Sequence, residues 1–254
     1  MADQARRGMK LAVAGKGGVG KTTVVALLAR AAAAHGHRVV AVDADPNPTL
    51  AQTLGIHVPL TPLLENRELL AERVGTEGFV KLNPFVEDLV QRYGAEKDGV
   101  SVLVLGGIRA GGSGCACPAS ALLRALLRHL VLDAWETVIV DLEAGVEHLG
   151  RATAQGVDVL LVVVDEDRRS LATAERIWQL SKEIGIPRVY ALGNKIRGPG
   201  FSQNFPGEIP VLGALPFSEA VEEAGRRGLP LPQIPEAWGI WRRLEDLLEE
   251  KQAQ

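Results

Sequence analysis

The chain has 254 residues, of which 46% are apolar and 23% charged, with a formal net charge of −3. That is the balance of an ordinary folded domain, with no excess charge to draw in nucleic acid or an anionic bilayer. Its apolar runs fall short of the roughly 20 residues that span a membrane, and its two cysteines make no disulfide framework, so a reduced, cytoplasmic setting is expected.

Residues 1–8 read as a frayed tail, because Arg6 and Arg7 are not followed by the apolar segment of a signal peptide. Residues 9–254 read as one domain. An apolar strand, Leu11 to Ala14, leads into Gly15-Lys16-Gly17-Gly18-Val19-Gly20-Lys21-Thr22-Thr23, and helix formers begin at Val24. Strand, glycine-rich turn and helix together are the context of a phosphate-binding loop, and Gly15, Gly20, Lys21 and Thr22 fill its four fixed places. The glycines bring bare amides close to an anion, and the helix start turns its positive end towards the same anion. Lys21 then reaches the β- and γ-phosphates, and the Thr22 hydroxyl is placed to bind Mg²⁺.

The helix is expected over Thr22–His35, closed by Gly36. The strand Arg38 to Asp43 follows, apolar enough to be buried on both faces of a parallel sheet. Its end, Asp43-Ala44-Asp45-Pro46, sets two carboxylates where ligands bind in open α/β sheets. Asp45 is expected to orient the attacking water and a water on Mg²⁺, with Asp43 in support. Pro62 to Val74 reads as one amphipathic helix, Gly75 to Gly99 has no clear pattern, and Val100 to Leu105 is a third buried strand.

Both cysteines lie in Gly111-Gly112-Ser113-Gly114-Cys115-Ala116-Cys117-Pro118, ahead of a helix expected over about 118–132. A helix start lowers thiol pKa values, and the thiolate is the form that binds metal. Two thiolates cannot complete a tetrahedral site, but a two-fold axis would supply four from Cys115 and Cys117 of two chains. Packing cysteines and a redox dithiol are the competing readings, although the glycines favour a surface loop.

Thr137 to Asp141 is a fourth strand ending in a carboxylate suited to hold Mg²⁺ through water. Gly145 beyond it is placed to sense a γ-phosphate, while His148 reads as an exposed or capping residue. Val157 to Val164 is a fifth strand, and Ser170 to Gly185 a helix capped by Ser170. A sixth strand from Arg188 runs into Gly193-Asn194-Lys195-Ile196-Arg197. This is like the base-reading N-K-x-D of GTPases with arginine in place of the aspartate, which favours adenine over guanine. Asn194 is expected at the base edge, with Pro216 and Phe217, after the strand Val211–Pro216, lining the purine pocket. The terminal helix, 236–251, sets Trp238, Trp241, Leu244, Leu247 and Leu248 on one side; its acidic polar face argues against a membrane.

Strands alternating with helices around a phosphate loop predict a three-layer α/β P-loop NTPase, with a mostly parallel central sheet flanked by helices. GKGGVGKTT resembles the deviant Walker A loop of the MinD/ParA/nitrogenase-iron-protein class of dimeric ATPases. That resemblance implies a homodimer binding ATP or ADP with Mg²⁺, in which Lys16 crosses to the partner's nucleotide much as an arginine finger does.

Within the class the chain is similar to the CooC-type branch through VDADP, Leu50 to Gly55, Thr61-Pro62-Leu63, Leu82-Asn83-Pro84, GGSGCAC and the run Asp141–Thr153. The branch implies a nickel chaperone for carbon monoxide dehydrogenase, with Ni²⁺ or Zn²⁺ at Cys115 and Cys117. A maturation ATPase for acetyl-CoA synthase shares these motifs. An Fe–S electron-transfer ATPase is the next alternative, though its cluster cysteines lie far apart in sequence. A partitioning or division-site ATPase would need a basic patch or tail that this chain lacks.

Overall fold

The computed structural model describes residues 8–75, 81, 85, 86, 88–107, 118–129, 136–143, 156–202, 205 and 207–249. Cys115, Cys117, Gly145 and His148 lie outside them, as do residues 1–7 of the expected tail. Gly8, the last residue of that tail, is already buried against the fold.

Eight strands form one sheet in the order β3-β4-β2-β5-β1-β6-β7-β8. They are β1 (Met9–Gly15), β2 (Arg38–Ala44), β3 (Ala95–Lys97), β4 (Val100–Val104), β5 (Glu136–Leu142), β6 (Val159–Val164), β7 (Val189–Ile196) and β8 (Val211–Pro216). All neighbours run parallel except β3, which pairs antiparallel with β4 at the edge. The three-layer, mostly parallel α/β architecture expected from the sequence is the one observed.

The apolar strands have a direct cause in packing. Leu11 and Val13 of β1 face one core, while Ala12 and Ala14 face the other. In β6, Val159, Leu161 and Val163 join the first core, and Leu160, Val162 and Val164 the second. Alternate side chains of a strand project to opposite faces, so a strand covered on both sides must be apolar at every position.

The first core lies under α1 (Lys21–Ala34), the short α2 (Leu50–Thr53) and the terminal helix α8 (Pro235–Glu249). The second lies under α5 (Pro118–His129) and α6 (Arg168–Ile184). No helix among the described residues is long and apolar enough to cross a membrane.

Several local expectations are corrected. The helix expected over Pro62–Val74 is broken: a 3₁₀ turn, Leu63–Glu65, is followed by α3 (Arg67–Arg73). Asn66 causes the break, because its side chain accepts the Leu69 amide at 3.0 Å and caps α3. Within residues 75–99, which carried no expected element, lie α4 (Leu89–Tyr93) and the edge strand β3.

Helix α6 begins earlier than Ser170, with Asp167 as its cap through the Arg169 amide. Ser170 is buried, and its hydroxyl accepts the Asp165 amide at 3.1 Å. A further helix, α7 (Glu219–Arg227), follows β8 and was not expected. On α8, Trp241 is buried, but Trp238 points outward at 39% exposure, its ring edge-on to His35. Ahead of α8, Arg30 of α1 donates to the carbonyl of Leu231, in the segment that leads into that helix.

Candidate nucleotide-binding site

The loop between β1 and α1 is shaped by two glycines, Gly15 and Gly20, where a side chain would be both strained and blocked. Gly15 has φ +149°, and a Cβ there would lie 2.4 Å from the Val163 carbonyl oxygen. Gly20, the N-cap of α1, has φ +91°, and its Cβ would meet the Asn194 side chain at 2.4 Å. The helix behind it spans 14 residues with no acidic side chain in its first turn, so its positive end is open to an anion.

Beneath the loop, the Thr22 hydroxyl donates to Asp141 Oδ2 at 2.6 Å. Asp141 lies on β5, the strand between β1 and β2, in register with Val13 on one side and Asp43 on the other. Its Oδ1 is buried with no hydrogen-bond partner. Burial is the main reason that its carboxyl is pushed up to about 7, with Asp43 and Asp45 adding and Thr22 and Lys21 opposing. A buried carboxylate oxygen without a partner, beside a threonine hydroxyl at a phosphate loop, fits a divalent cation, which would bring both a partner and a positive charge.

Asp43 is buried and occupied. Its carboxylate accepts the amides of Asp45 at 3.1 Å and of Thr49 and Leu50 at 2.9 Å each. Burial raises its pKa, with those three amides opposing. These bonds end β2 at Ala44 and set the course of the segment that carries Asp45, which itself accepts the Asn47 amide at 2.8 Å. Asp43 therefore acts through its neighbours, while Asp45 stands nearer the surface at the sheet's carboxyl end.

Lys16 is half-buried, with its Nζ 3.4 Å from Asp167 Oδ2. The sequence had offered no partner for it within the chain. Asp167 is also gripped by the Arg169 guanidinium at 3.0 Å.

A cavity of about 670 Å³ opens beside the loop, lined among others by Thr23, Asn194, Lys195, Arg197, Pro216 and Phe217. Asn194, Pro216 and Phe217 were expected around a purine, and all three line this cavity. The Arg197 guanidinium carbon lies 3.7 Å from the Phe217 ring centroid, a stacked cation–π contact. Asn194 has a second occupation: it is buried, and its Nδ2 donates to the Val19 carbonyl at 2.8 Å. Lys195, which the sequence reading passed over, donates to the Gly18 carbonyl at 3.0 Å.

Similarity to known proteins agrees with this geometry. The profile of the CobQ/CobB/MinD/ParA nucleotide binding domain matches residues 10–231. The carbon monoxide dehydrogenase accessory protein CooC of Rhodospirillum rubrum is 40% identical over 232 residues, covering 87% of this chain and 88% of that protein. An uncharacterized ATP-binding protein of Methanocaldococcus jannaschii is 40% identical over 233 residues, covering 88% and 91%. Among solved structures, the septum site-determining protein MinD of Pyrococcus horikoshii, complexed with Mg-ADP, aligns with a TM-score of 0.66 over 96% of this chain and 97% of that one. Its 18% identity speaks for the fold alone.

Proposed function

The chain belongs to the CobQ/CobB/MinD/ParA family of nucleotide-binding domains as an ATP hydrolase, and we propose that it works as a homodimeric, Mg-dependent metal-binding accessory protein that assists nickel insertion into carbon monoxide dehydrogenase. The observation that carries the ATPase half is the Thr22–Asp141 contact of 2.6 Å under a loop of open amides. What supports the client is the 40% identity to a carbon monoxide dehydrogenase accessory protein, together with the Cys115-Ala116-Cys117 sequence. Acetyl-CoA synthase is the alternative client of the same chemistry.

In this reading the amides of Gly17 to Thr23 and the Lys21 ammonium surround the phosphates. Thr22 and, through water, Asp45 and Asp141 would hold Mg²⁺, which would supply positive charge against the phosphate oxygens. Asp45 orients water for in-line attack on the γ-phosphorus, and the bond to the ADP oxygen breaks. Lys21 and the loop amides hold the charge that builds on the transferring group, where most of the catalysis of phosphoryl transfer lies. Lys16 reaches the partner's nucleotide across the two-fold axis, and Gly145 senses the γ-phosphate. Asn194, Pro216 and Phe217 receive the adenine.

Cys115 and Cys117 of both chains bind Ni²⁺ or Zn²⁺ as cargo, four thiolates making one tetrahedral site. Closure of the dimer on ATP then couples hydrolysis to capture and release of that metal in the cytoplasm. The test is a Lys21→Ala variant. It loses ATP hydrolysis and no longer supports activation of nickel-free carbon monoxide dehydrogenase by Ni²⁺ and ATP. Wild-type turnover in that variant contradicts the catalytic assignment.

A further inference from the structure

The pairing of β7 with β8 is irregular. Its register shifts between Ala191 and Leu192 and again, at the end of β7, between Gly193 and Ile196. Inside that irregularity Lys195 has φ +60°, a left-handed conformation that a residue with a side chain adopts only where its surroundings impose it. In an undisturbed strand, neighbouring side chains project to opposite faces. Here Asn194 and Lys195 both reach the glycine loop, and they take consecutive carbonyls, Val19 at 2.8 Å and Gly18 at 3.0 Å.

A planar trans peptide points its C=O and its N–H in opposite directions. Fastening the Gly18 carbonyl to β7 therefore turns the Val19 amide away from β7, and fastening the Val19 carbonyl does the same for the Gly20 amide. The Val19 amide does point back across the loop, to the Lys16 carbonyl at a long 3.4 Å. An anion's oxygen would make a better acceptor than that distant carbonyl. Successive amides turned to one side make an anion-binding hollow.

The hydrogen bond from Lys195 is exposed and adds little to folding stability. Its strained backbone therefore has a reason other than stability.

We propose that Lys195 is a positioning residue for nucleotide binding, locking the Gly18–Val19 peptide with its amide turned towards the phosphates. Asn194 and Arg197 of the purine cavity lie one residue before it and two after, so Lys195 also links base binding to the shape of the phosphate loop. The inference rests on the nucleotide-binding reading of that loop.

The test follows release of a fluorescent methylanthraniloyl-ADP with Mg²⁺ from the full chain, alongside melting of the nucleotide-free protein. Lys195→Met keeps the stem and removes the donor, Lys195→Gly also relieves the backbone, and Lys195→Arg restores a donor. Removing a charged donor speeds release about tenfold and raises KM for ATP with little change in kcat. Lys195→Gly does this while its melting temperature stays level or rises, a combination that a purely structural role does not produce. Lys195→Arg recovers most of the retention. Met and Gly variants that release ADP within about twofold of wild type overturn the proposal. So does faster release that merely follows a lower melting temperature. A wild-type protein that retains no adenine nucleotide removes the reading beneath the proposal, and the proposal with it.

Discussion

Lys16 Nζ lies 3.4 Å from Asp167 Oδ2, so the second lysine of the phosphate loop rests on a carboxylate of its own chain. That carboxylate caps α6 through the Arg169 amide at 2.8 Å. The Arg169 side chain first, then its amide and Lys16, hold Asp167 well below the usual carboxylate range. To serve a partner's nucleotide Lys16 must leave this resting place. A half-buried ion pair at the surface is weak and partly screened by salt, so it can be exchanged readily.

A Lys16→Ala variant is expected to separate binding from turnover. Loss of a cation that acts across the dimer in the transition state lowers kcat by about 10³-fold, while ADP affinity in the monomer changes little. Steady-state hydrolysis and ADP titration check this. Matching losses in both would mean that Lys16 serves the nucleotide of its own chain.

Asp167→Asn tests the resting contact itself. Asparagine caps a helix as well as aspartate, so α6 is kept and only the charge is removed. The freed Lys16 should let the ATP-bound dimer form at a protein concentration lower by about two- to fivefold, the scale of a surface ion pair. Analytical ultracentrifugation across a dilution series reads this, and a dimer that instead needs more protein would show that Asp167 assists closure.

Asp141 gives a pH dependence whose sign can be worked out. Its pKa rises on folding from 3.8 to about 7. Without Mg²⁺, the stability it contributes is complete below pH 3.8, is lost as pH rises towards 7, and changes no further above that. The full loss is about 4 kcal/mol at most. An Asp141→Asn variant should therefore match wild type near pH 4 and be more stable at pH 8 when nucleotide-free. With Mg-ADP present the order reverses, because only the carboxylate supplies charge to the cation. Melting curves at several pH values, with and without Mg-ADP, decide it.

At the far end of α1, about 20 Å from the loop by helix rise, Glu245 bridges two histidines. It bonds His37 at 2.8 Å and His35 at 3.2 Å, and His37 also meets Thr137 at 3.1 Å. Burial raises the Glu245 pKa, but the two imidazole bonds outweigh it and leave the carboxyl below its ordinary 4.5. Its contribution is thus present above pH 4.5 and lost as pH falls through the lower folded value. Glu245→Gln should cost about 1 kcal/mol at pH 7. The difference should close as pH falls through the folded value, with hydrolysis per folded molecule unchanged. A destabilisation independent of pH would assign the effect to packing.

The central sheet was legible because a parallel strand buried on both faces has no polar position to spare. β2 and β5 also carry an aspartate one residue before their carboxyl ends, which marks the ligand-binding edge. The loop was legible because Gly15, Gly18 and Gly20 hold backbone angles that other residues rarely adopt. Short elements were not. Helix α4 and strand β3 have too few residues for a period to register. The cap of α6 was misplaced by three residues, since Asp167 and Ser170 are both ordinary capping types and only their partners distinguish them.

Contacts that join distant segments left no local trace at all. Lys16 and Asp167 are 151 positions apart, and the reach of Lys195 to Gly18 depends on a left-handed residue that its sequence does not advertise.

The proposed function is that of an ATP-driven dimer organised around a metal held by Cys115 and Cys117. Metal analysis combined with mass measurement, on wild type and on Cys115→Ala/Cys117→Ala with and without ATP, tests it most directly. One Ni²⁺ or Zn²⁺ is expected per wild-type dimer and none in the double variant, which still binds ATP and Mg²⁺. A double variant that keeps one metal per dimer, or a wild-type dimer that holds none, would contradict it.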